Sequence, residues 1–484
     1  MKVELSEDII VDPEVNATTI EIAFEQWLRN QYRYQKLKDY YLGRHDFNTE
    51  IHGDDQNRIV ANHCRYITDV LVGYQFGNEP RYDAPDGDAA GKAIIDIMKE
   101  QDKWQVDLNI GESLSIYGRT NELVYMPEGK DVPNSMEIDP MHGFVAKAGD
   151  VEKDAVFGVV VFTYTNNRRV QIHRLYVYDR ADVSIWECES SIKPRAWAMV
   201  DGPTPHGFGR VPIIEYKNNR LALSDYEGIM ELQDAYNSLL SDRQDNQDAF
   251  AQAMLVLTGS VMGMTQKELK SSRNVLKDTK ILQLSEDSVA QYLVKTTDEA
   301  GVQVIQDQLA SDIHKFAMVP DLSDEQFSGN ASGVAMAYKL FGTDQVVSKK
   351  QSMMQRGFTI RCKLYDYRIN NPSLNPNYTY LADVENMTIT FNLNAPQDLS
   401  YIATALSQLT GGGKVMSLKT ARTLVSAIPD PDEEDERVAQ ENKEEAERTR
   451  DTFDYDQASQ DPLKPKAQPK APTDEDEDED NTEE

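Results

Sequence analysis

Few stretches of this sequence carry residue types that could do chemistry, and each has to meet the spacing its chemistry needs. His63 and Cys64 are adjacent and could ligate a metal. No second pair stands at ligand spacing, so they read as a core histidine and a core thiol. Cys188 and Cys362 lie far from Cys64 and from each other, which predicts buried, reduced thiols in an intracellular protein. The run Gly411-Gly412-Gly413-Lys414 lacks the glycine spacing and the following Ser or Thr of a phosphate-binding loop, and reads as a hinge or tight turn. Lys267, Lys270, Arg273, Lys277 and Lys280 form a local basic cluster, either a solvated helical face or a surface for a partner protein. The richest polar stretch holds Asp321, Asp324, Glu325, Gln326, Ser328, Gly329 and Asn330 around a single aromatic, Phe327. On residue types alone it is either a surface connection or a functional loop.

Two helices must flank that loop. Pro320 cannot donate a backbone hydrogen bond and pushes Val319 out of helical geometry, while Ser332 can cap a new helix with Val334, Tyr338 and Phe341 on one face. The preceding helix, Asp298–Met318, carries Ile305, Leu309, Ile313 and Phe316 as a stripe, and the following one, to Ile369, carries Val347, Met354, Phe358, Tyr365 and Ile369. A further long helix starts near Ser224 with core-like spacing at Tyr226, Ile229, Leu232, Tyr236 and Leu239, and is expected to run into the apolar Met254–Thr258. Its middle (Asp242, Arg243, Gln244, Asp245, Asn246, Gln247, Asp248) is polar on every side. Such a helix bridges between bodies or packs on copies of itself.

Upstream, the pattern predicts a helix over Thr19–Leu42. A Thr18–Glu21 capping box starts it, Gly43 ends it, and Ile20, Phe24, Trp27, Leu28, Leu37 and Tyr41 form its apolar stripe. Further helices are expected from Asn62, over Asp88–Gln101 and over Val106–Tyr117. From Asn121 to Tyr216 the period changes to two, predicting a mostly antiparallel β region. A late strand, Met387–Asn394, and helices over Leu399–Leu409 and Ser417–Ile428 follow. Beyond Pro429 the chain is too charged to build a core and is expected to lack fixed structure. Among the 484 residues, 50 Lys and Arg face 82 Asp and Glu, a net charge of −32 that disfavours a protein coating nucleic acid. The opening MKVELSEDIIVDPEV has no signal-peptide pattern, and no apolar run is long enough to span a bilayer.

Three segments, NRIVANHCRYITDVLVGYQFGNEP (57–80), KNNRLALSDYEGIMELQDAYNSLLSD (217–242) and PDLSDEQFSGNASGVAMAYKLFG (320–342), occur in an order that resembles the portal proteins of long-tailed, siphovirus-type double-stranded DNA bacteriophages. The resemblance covers roughly residues 20–430. It implies an α+β, mainly helical portal fold, with wing regions at 1–223 and 332–398 and stem helices at 224–258 and 298–319. It also implies a clip at 259–297, a tunnel loop at 320–331 and a crown at 399–445, followed by a disordered acidic tail at 446–484.

The function implied is a homododecameric ring at one vertex of the virion capsid, assembled in the bacterial host cytoplasm, through which DNA is packaged and later ejected. The implied partners are the terminase motor, a head-completion or adaptor protein, major capsid and scaffolding proteins, and duplex DNA passing without sequence specificity. No cofactor, metal or catalytic residue is implied. The resemblance makes Asp321, Asp324, Glu325, Gln326, Phe327, Ser328, Gly329 and Asn330 the DNA-facing loop. It makes the Lys267–Lys280 cluster a docking surface, and Asp242–Asp248 a subunit-packing stretch. An acidic conduit suits this role, because each phosphate contact slows sliding. The alternatives are another virion component, such as a minor head or scaffolding protein, or a metal-dependent nucleic-acid enzyme. The last would need carboxylates clustered on rigid elements.

Overall fold

Strand β1 (Ile9–Val11) leads into helix α1 (Ala17–Tyr41), whose first turn shows how local chemistry sets a boundary. Asn16, not Thr18, is the cap: it is extended, and its Oδ1 accepts from Thr19 N–H at 2.9 Å. Thr18 is already inside the helix, two residues past the cap, so the expected capping box is not formed. Gly43, at φ +78°, stops α1 where a side chain would be strained. In the computed structural model the described residues are 8–46, 57–189, 197–251, 254–258, 289–293, 299–322, 333–394, 399–411, 416–423, 425, 428 and 431–460. They fall in two compact units, residues 1–402 and 403–484.

In the first unit, helix α2 (His63–Phe76) is capped by Asn62, strand β2 (Arg81–Asp83) follows, and helix α3 (Ala89–Glu100) is capped by Asp88. Helix α4 (Lys103–Tyr117) then gives way to the period-two region. Its strands are β3 (Arg119–Tyr125), β4 (Asn134–Ile138), β5 (Gly143–Ala148), β6 (Ala155–Thr165), β7 (Gln171–Tyr178), β8 (Asp182–Glu189), β9 (Ala198–Pro205) and β10 (Ile213–Lys217). They form a six-stranded sheet in the order β1-β5-β6-β7-β8-β9, with β1 parallel to β5 and the other pairs antiparallel, and a three-stranded antiparallel sheet β10-β3-β4. Ile20, Phe24 and Trp27 of α1 bury their side chains against Phe144, Phe157, Val159, Leu175 and Trp186 of the larger sheet. Leu28, expected on this stripe, is exposed.

Helix α5 (Met230–Ala251) is followed by strands β11 (Met254–Thr258) and β12 (Val289–Leu293), and helix α6 (Glu299–Ala317) then runs back along α5. The expected continuation of α5 through Thr258 is therefore corrected. Residues 254–258 are extended and pair antiparallel with 289–293, from Met254↔Leu293 to Thr258↔Val289. Leu, Val and Thr fit a pleated ladder as well as a helix, and the partner strand decides.

Helix α7 (Gly333–Asn370) crosses β10 so closely that a methyl group on Gly357 would lie 2.0 Å from Tyr216 Cε1. Val347, Met354, Phe358 and Tyr365 are all buried, as their spacing predicts. The late strand β13 (Thr388–Thr390) joins neither sheet but pairs with β2.

A buried charge cluster ties α7 to the layers beneath it. Arg361 Nη2 donates to Asp107 Oδ1 at 2.6 Å, and its Nε lies 2.8 Å from Glu122 Oε1. Tyr82 and Tyr216 donate their hydroxyls to the second oxygens of the same carboxylates, at 2.6 and 2.7 Å. One arginine thus bridges two buried carboxylates, each of which also accepts a tyrosine hydroxyl. Arg33 similarly fixes the root of α5: its Nε donates to Glu227 Oε1 at 2.8 Å, and its Nη2 to Ala222 O at 3.0 Å.

The second unit holds most of α8 (Leu399–Gly411), α9 (Leu418–Thr423) and α10 (Pro431–Gln460), with Arg422 of α9 paired to Asp435 of α10. The stretch beyond Pro429, expected to be without structure, is thus helical as far as Gln460. Its Glu, Ala, Gln, Lys and Arg are strong helix formers, and they make local pairs such as Gln440 Nε2 to Glu444 Oε1 at 3.2 Å. Residues 461–484 lie outside the described residues.

Candidate functional site

The α5–α6 pair and the foot of the loop behind it gather most of the described candidates. Near the root the two helices share an apolar cluster, Met230 and Leu232 with Ile313 and Ala317, and farther out they are joined by polar contacts. Arg243 Nη1 donates to Gln303 Oε1 at 2.8 Å and to Gln306 Oε1 at 2.9 Å, and its Nε lies 3.3 Å from Glu299 Oε2. Two turns nearer the root of α5, Tyr236 OH accepts from Gln306 Nε2 at 3.3 Å. Arg243 can therefore sit in a helix that looks polar all round because its guanidinium faces the returning helix.

The opposite side of α5 binds an extended strap, residues 57–63. Backbone N–H groups of Asn57, Ile59, Ala61 and His63 donate to Asp245 Oδ1, Ser241 Oγ, Asn237 Oδ1 and Gln233 Oε1 at 2.8, 2.9, 3.0 and 3.0 Å. The match is geometric: two residues of extended chain advance about 6.6 Å and four residues of helix about 6 Å, so every second amide meets every fourth side chain. Asn57 Nδ2 also donates to Asp248 Oδ2 at 2.6 Å, and Gln244 Nε2 donates to Asp248 Oδ1 at 3.1 Å. Among the polar stretch singled out in the sequence, the side chains of Asp242, Asn246 and Gln247 make no hydrogen bond with another described residue, and Asp242 and Gln247 are exposed. Gln233, Asn237 and Ser241 were not singled out. Their signal was a run of short polar residues at a spacing of four, continued by Asp245.

At the far end, α6 stops in a double turn: Val319 N–H donates to His314 O and Met318 N–H to Lys315 O, with Met318 at φ +56° where glycine is the usual residue. His314 Nδ1 lies 3.0 Å from Val319 O and Thr343 Oγ1 donates to Met318 O at 3.0 Å. Tyr66 OH donates to Pro320 O at 3.2 Å and accepts from Leu322 N–H at 2.8 Å. The loop thus departs from a foot pinned by α2, α6 and α7. Tyr66 and His314 carry no sequence motif, and only the tertiary structure brings them there. Asp321 is half-buried beside this foot; Asp324, Glu325, Gln326, Phe327, Ser328, Gly329 and Asn330 lie outside the described residues. So do Lys267, Lys270, Arg273, Lys277 and Lys280, between β11 and β12.

Cys64 sits in the core beneath α2, whereas His63, expected in the core, is half-buried at its edge. The His63 ring packs edge-on against Tyr236 at 5.0 Å and His314 at 5.5 Å, and burial, then the neighbouring His314, hold its pKa below the ordinary imidazole range. Cys64 is fully buried, and burial raises its thiol pKa far above the usual range.

The same foot exposes apolar surface. Phe316 is 62% exposed, Phe341 61% and Tyr338 79%, with Met318, Leu322, Val304 and Ile305 also exposed. Of the stripe expected on α6, Ile313 is buried, whereas Ile305 and Phe316, three turns apart on one side of the helix, face water.

Comparison with known proteins gives this arrangement a context. The family model of phage portal proteins, SPP1 Gp6-like, matches residues 21–448. The portal protein of Bacillus phage SPP1 is 26% identical over 317 residues, which are 62% of this chain and 59% of that protein. The match thus spans about three fifths of the length of that curated relative. A chain from the virion of a native gene transfer agent particle superposes with a TM-score of 0.49 at 10% identity, covering 83% of this chain and 94% of the other. A chain from the neck of such a particle, computed with C12 symmetry, gives 0.47 at 10% identity, covering 82% and 93%.

Proposed function

The chain belongs to the phage portal protein family, SPP1 Gp6-like, and on that premise we propose that it is the subunit of a portal ring at one vertex of a virion capsid, through which double-stranded DNA is packaged and later ejected. The observation that carries this proposal within the fold is the uncovered apolar foot. Phe316 and Phe341 stand in water, while Ile313 and Val347 on the same helices are fully buried. A head-to-tail contact that repeats and closes covers such a surface on every copy, and a patch of this kind marks a protein interface. Asp242, Asn246 and Gln247 of α5 supply polar contacts in the same ring.

In this proposal the loop from Asp321 to Asn330 projects into the channel from its pinned foot. Gln326, Ser328 and Asn330 make weak, exchangeable phosphate contacts, and Asp321, Asp324 and Glu325 keep the duplex from binding tightly. Phe327 packs on the helices or on the next subunit's loop, and Gly329 gives the backbone freedom to shift. The Lys267–Lys280 cluster docks the packaging motor or an adaptor protein, because exposed charges steer association. Capsid and scaffolding proteins surround the ring. The proposal assigns no catalytic step or cofactor to this chain, and motion of the DNA is driven by the partner motor.

Negative-stain microscopy and native mass measurement of the full chain test the proposal. Rings with a central hole are expected. A folded monomer at micromolar concentration across a range of salt concentrations overturns it.

A further inference from the structure

The strap on α5 is fastened through a histidine that no motif distinguishes. Ala61 N–H and His63 N–H are backbone donors, so they fix which way the facing amides point: Asn237 Oδ1 faces Ala61, and Gln233 Oε1 faces His63. Gln233 Nε2 in turn donates to Ala61 O and to Asn237 Oδ1, at 2.6 and 3.0 Å. The NH2 group of Asn237 is left pointing at His45, with Nδ2 2.7 Å from His45 Nδ1. That ring nitrogen must be an acceptor without a proton. The other, Nε2, carries the hydrogen and donates to Tyr40 O at 3.1 Å. His45 is fully buried and stacked on Tyr40 at a centroid distance of 4.7 Å.

From this chain of contacts we infer that His45 is a proton-operated latch: a proton arriving at Nδ1 releases the strap, residues 57–63, from α5. The protonated nitrogen is a donor and faces the NH2 of Asn237. If Asn237 turns its oxygen to His45, it presents NH2 to Ala61 N–H and to Gln233 Nε2, and the centre of the strap loses its acceptor. Asn62 also reaches the ring and favours its charged form, while its oxygen accepts from Arg65 N–H and its NH2 donates to Tyr41 O.

Several other charged and titratable groups lie around the ring. Asp46, next in sequence, is paired with Lys36 at 2.6 Å, and Asp234 of α5 accepts the Tyr40 hydroxyl. His63 of α2 is the other titratable group of the strap. Burial is the largest influence and lowers the His45 pKa, against the Tyr40 carbonyl, Asp234, Asn62 and Asp46, which favour a charged imidazole. The sign follows. A base whose pKa is lower when docked supports docking above its ordinary pKa, and that support is lost as pH falls. The latch is a property of one subunit and holds whether or not rings form.

Hydrogen exchange of the full chain, corrected for the intrinsic effect of pH and read on peptides covering residues 57–63, tests it between pH 7.5 and 5.5. Protection is expected to fall by about tenfold for each pH unit below about 6.5. Asn237→Asp should keep the strap protected, since a carboxylate accepts from Ala61 N–H and from an imidazolium together. His45→Gln should give a flat profile, and His63→Gln should retain the wild-type fall. A flat wild-type profile overturns the inference, as does a fall that survives His45→Gln or disappears in His63→Gln. If a substitution prevents folding, the wild-type profile and the remaining variants decide.

Discussion

Replacing Phe316 and Phe341 together with serine should dissociate rings without unfolding subunits. Full burial of a phenylalanine side chain contributes about 1.5–3 kcal/mol. With 62% and 61% of these residues exposed in the single chain, covering the remainder contributes about 1–2 kcal/mol for each. The double variant therefore weakens each subunit contact by about 2–4 kcal/mol, which is about 30-fold to 1,000-fold in its dissociation constant. Because both side chains face water in the subunit, their loss leaves the buried residues of α6 and α7 in place, and the subunit's thermal midpoint should hold within a few degrees. Sedimentation velocity over a dilution series reads the shift from ring to monomer, with circular dichroism on the same samples. Rings that persist at the wild-type concentration dependence would refute the assignment of this surface to the subunit contact. A collapse of the circular dichroism signal would show that the two rings support the subunit's own fold.

Arg361→Met should cost about 3–5 kcal/mol in urea unfolding, because Asp107 and Glu122 lose the guanidinium they share and keep only Lys103 as a nearby cation. Combining it with Asp107→Asn and Glu122→Gln should recover much of the stability. Burial opposes the charge on Asp8, yet Lys217, Lys147 and Arg119 outweigh it and hold its carboxyl down to about 2. Asp8 therefore adds at most about 2 kcal/mol above the ordinary aspartate pKa, lost as pH falls toward 2, and the denaturation midpoints of Asp8→Asn and wild type should converge over that window. Single cysteines at Gln326, Ser328 and Asn330, carrying a DNA-reactive probe, should label DNA in heads stalled during packaging; labelling from an α5 position but from none of these would remove the loop from the channel. Reversing Lys267, Lys270, Arg273, Lys277 and Lys280 to glutamate should leave rings intact and abolish packaging, and unchanged packaging would reduce the cluster to a solvated face.

The sequence by itself determined the local elements and the family. Period and punctuation are short-range properties, so the stripe of Val347, Met354, Phe358 and Tyr365, the helix start near Asn62, the Gly43 stop and the alternating β region could all be read without a partner. Pro320 likewise marked a helix end, although Met318 and Val319 had already closed it. What needed the tertiary structure was every choice with two local answers. Residues 254–258 are a strand because 289–293 lie beside them, and β13 joins β2 because the chain brings it there. The polar middle of α5 was legible as unusual but not as explained. The returning α6 fills the side at Arg243, and the strap fills the side at Gln233, Asn237, Ser241 and Asp245. These contacts link residues far apart in sequence, so their energy depends on geometry that no local pattern encodes. The same holds for His45, whose buried ring has a fixed acceptor nitrogen only because Ala61 orients the amide that faces it.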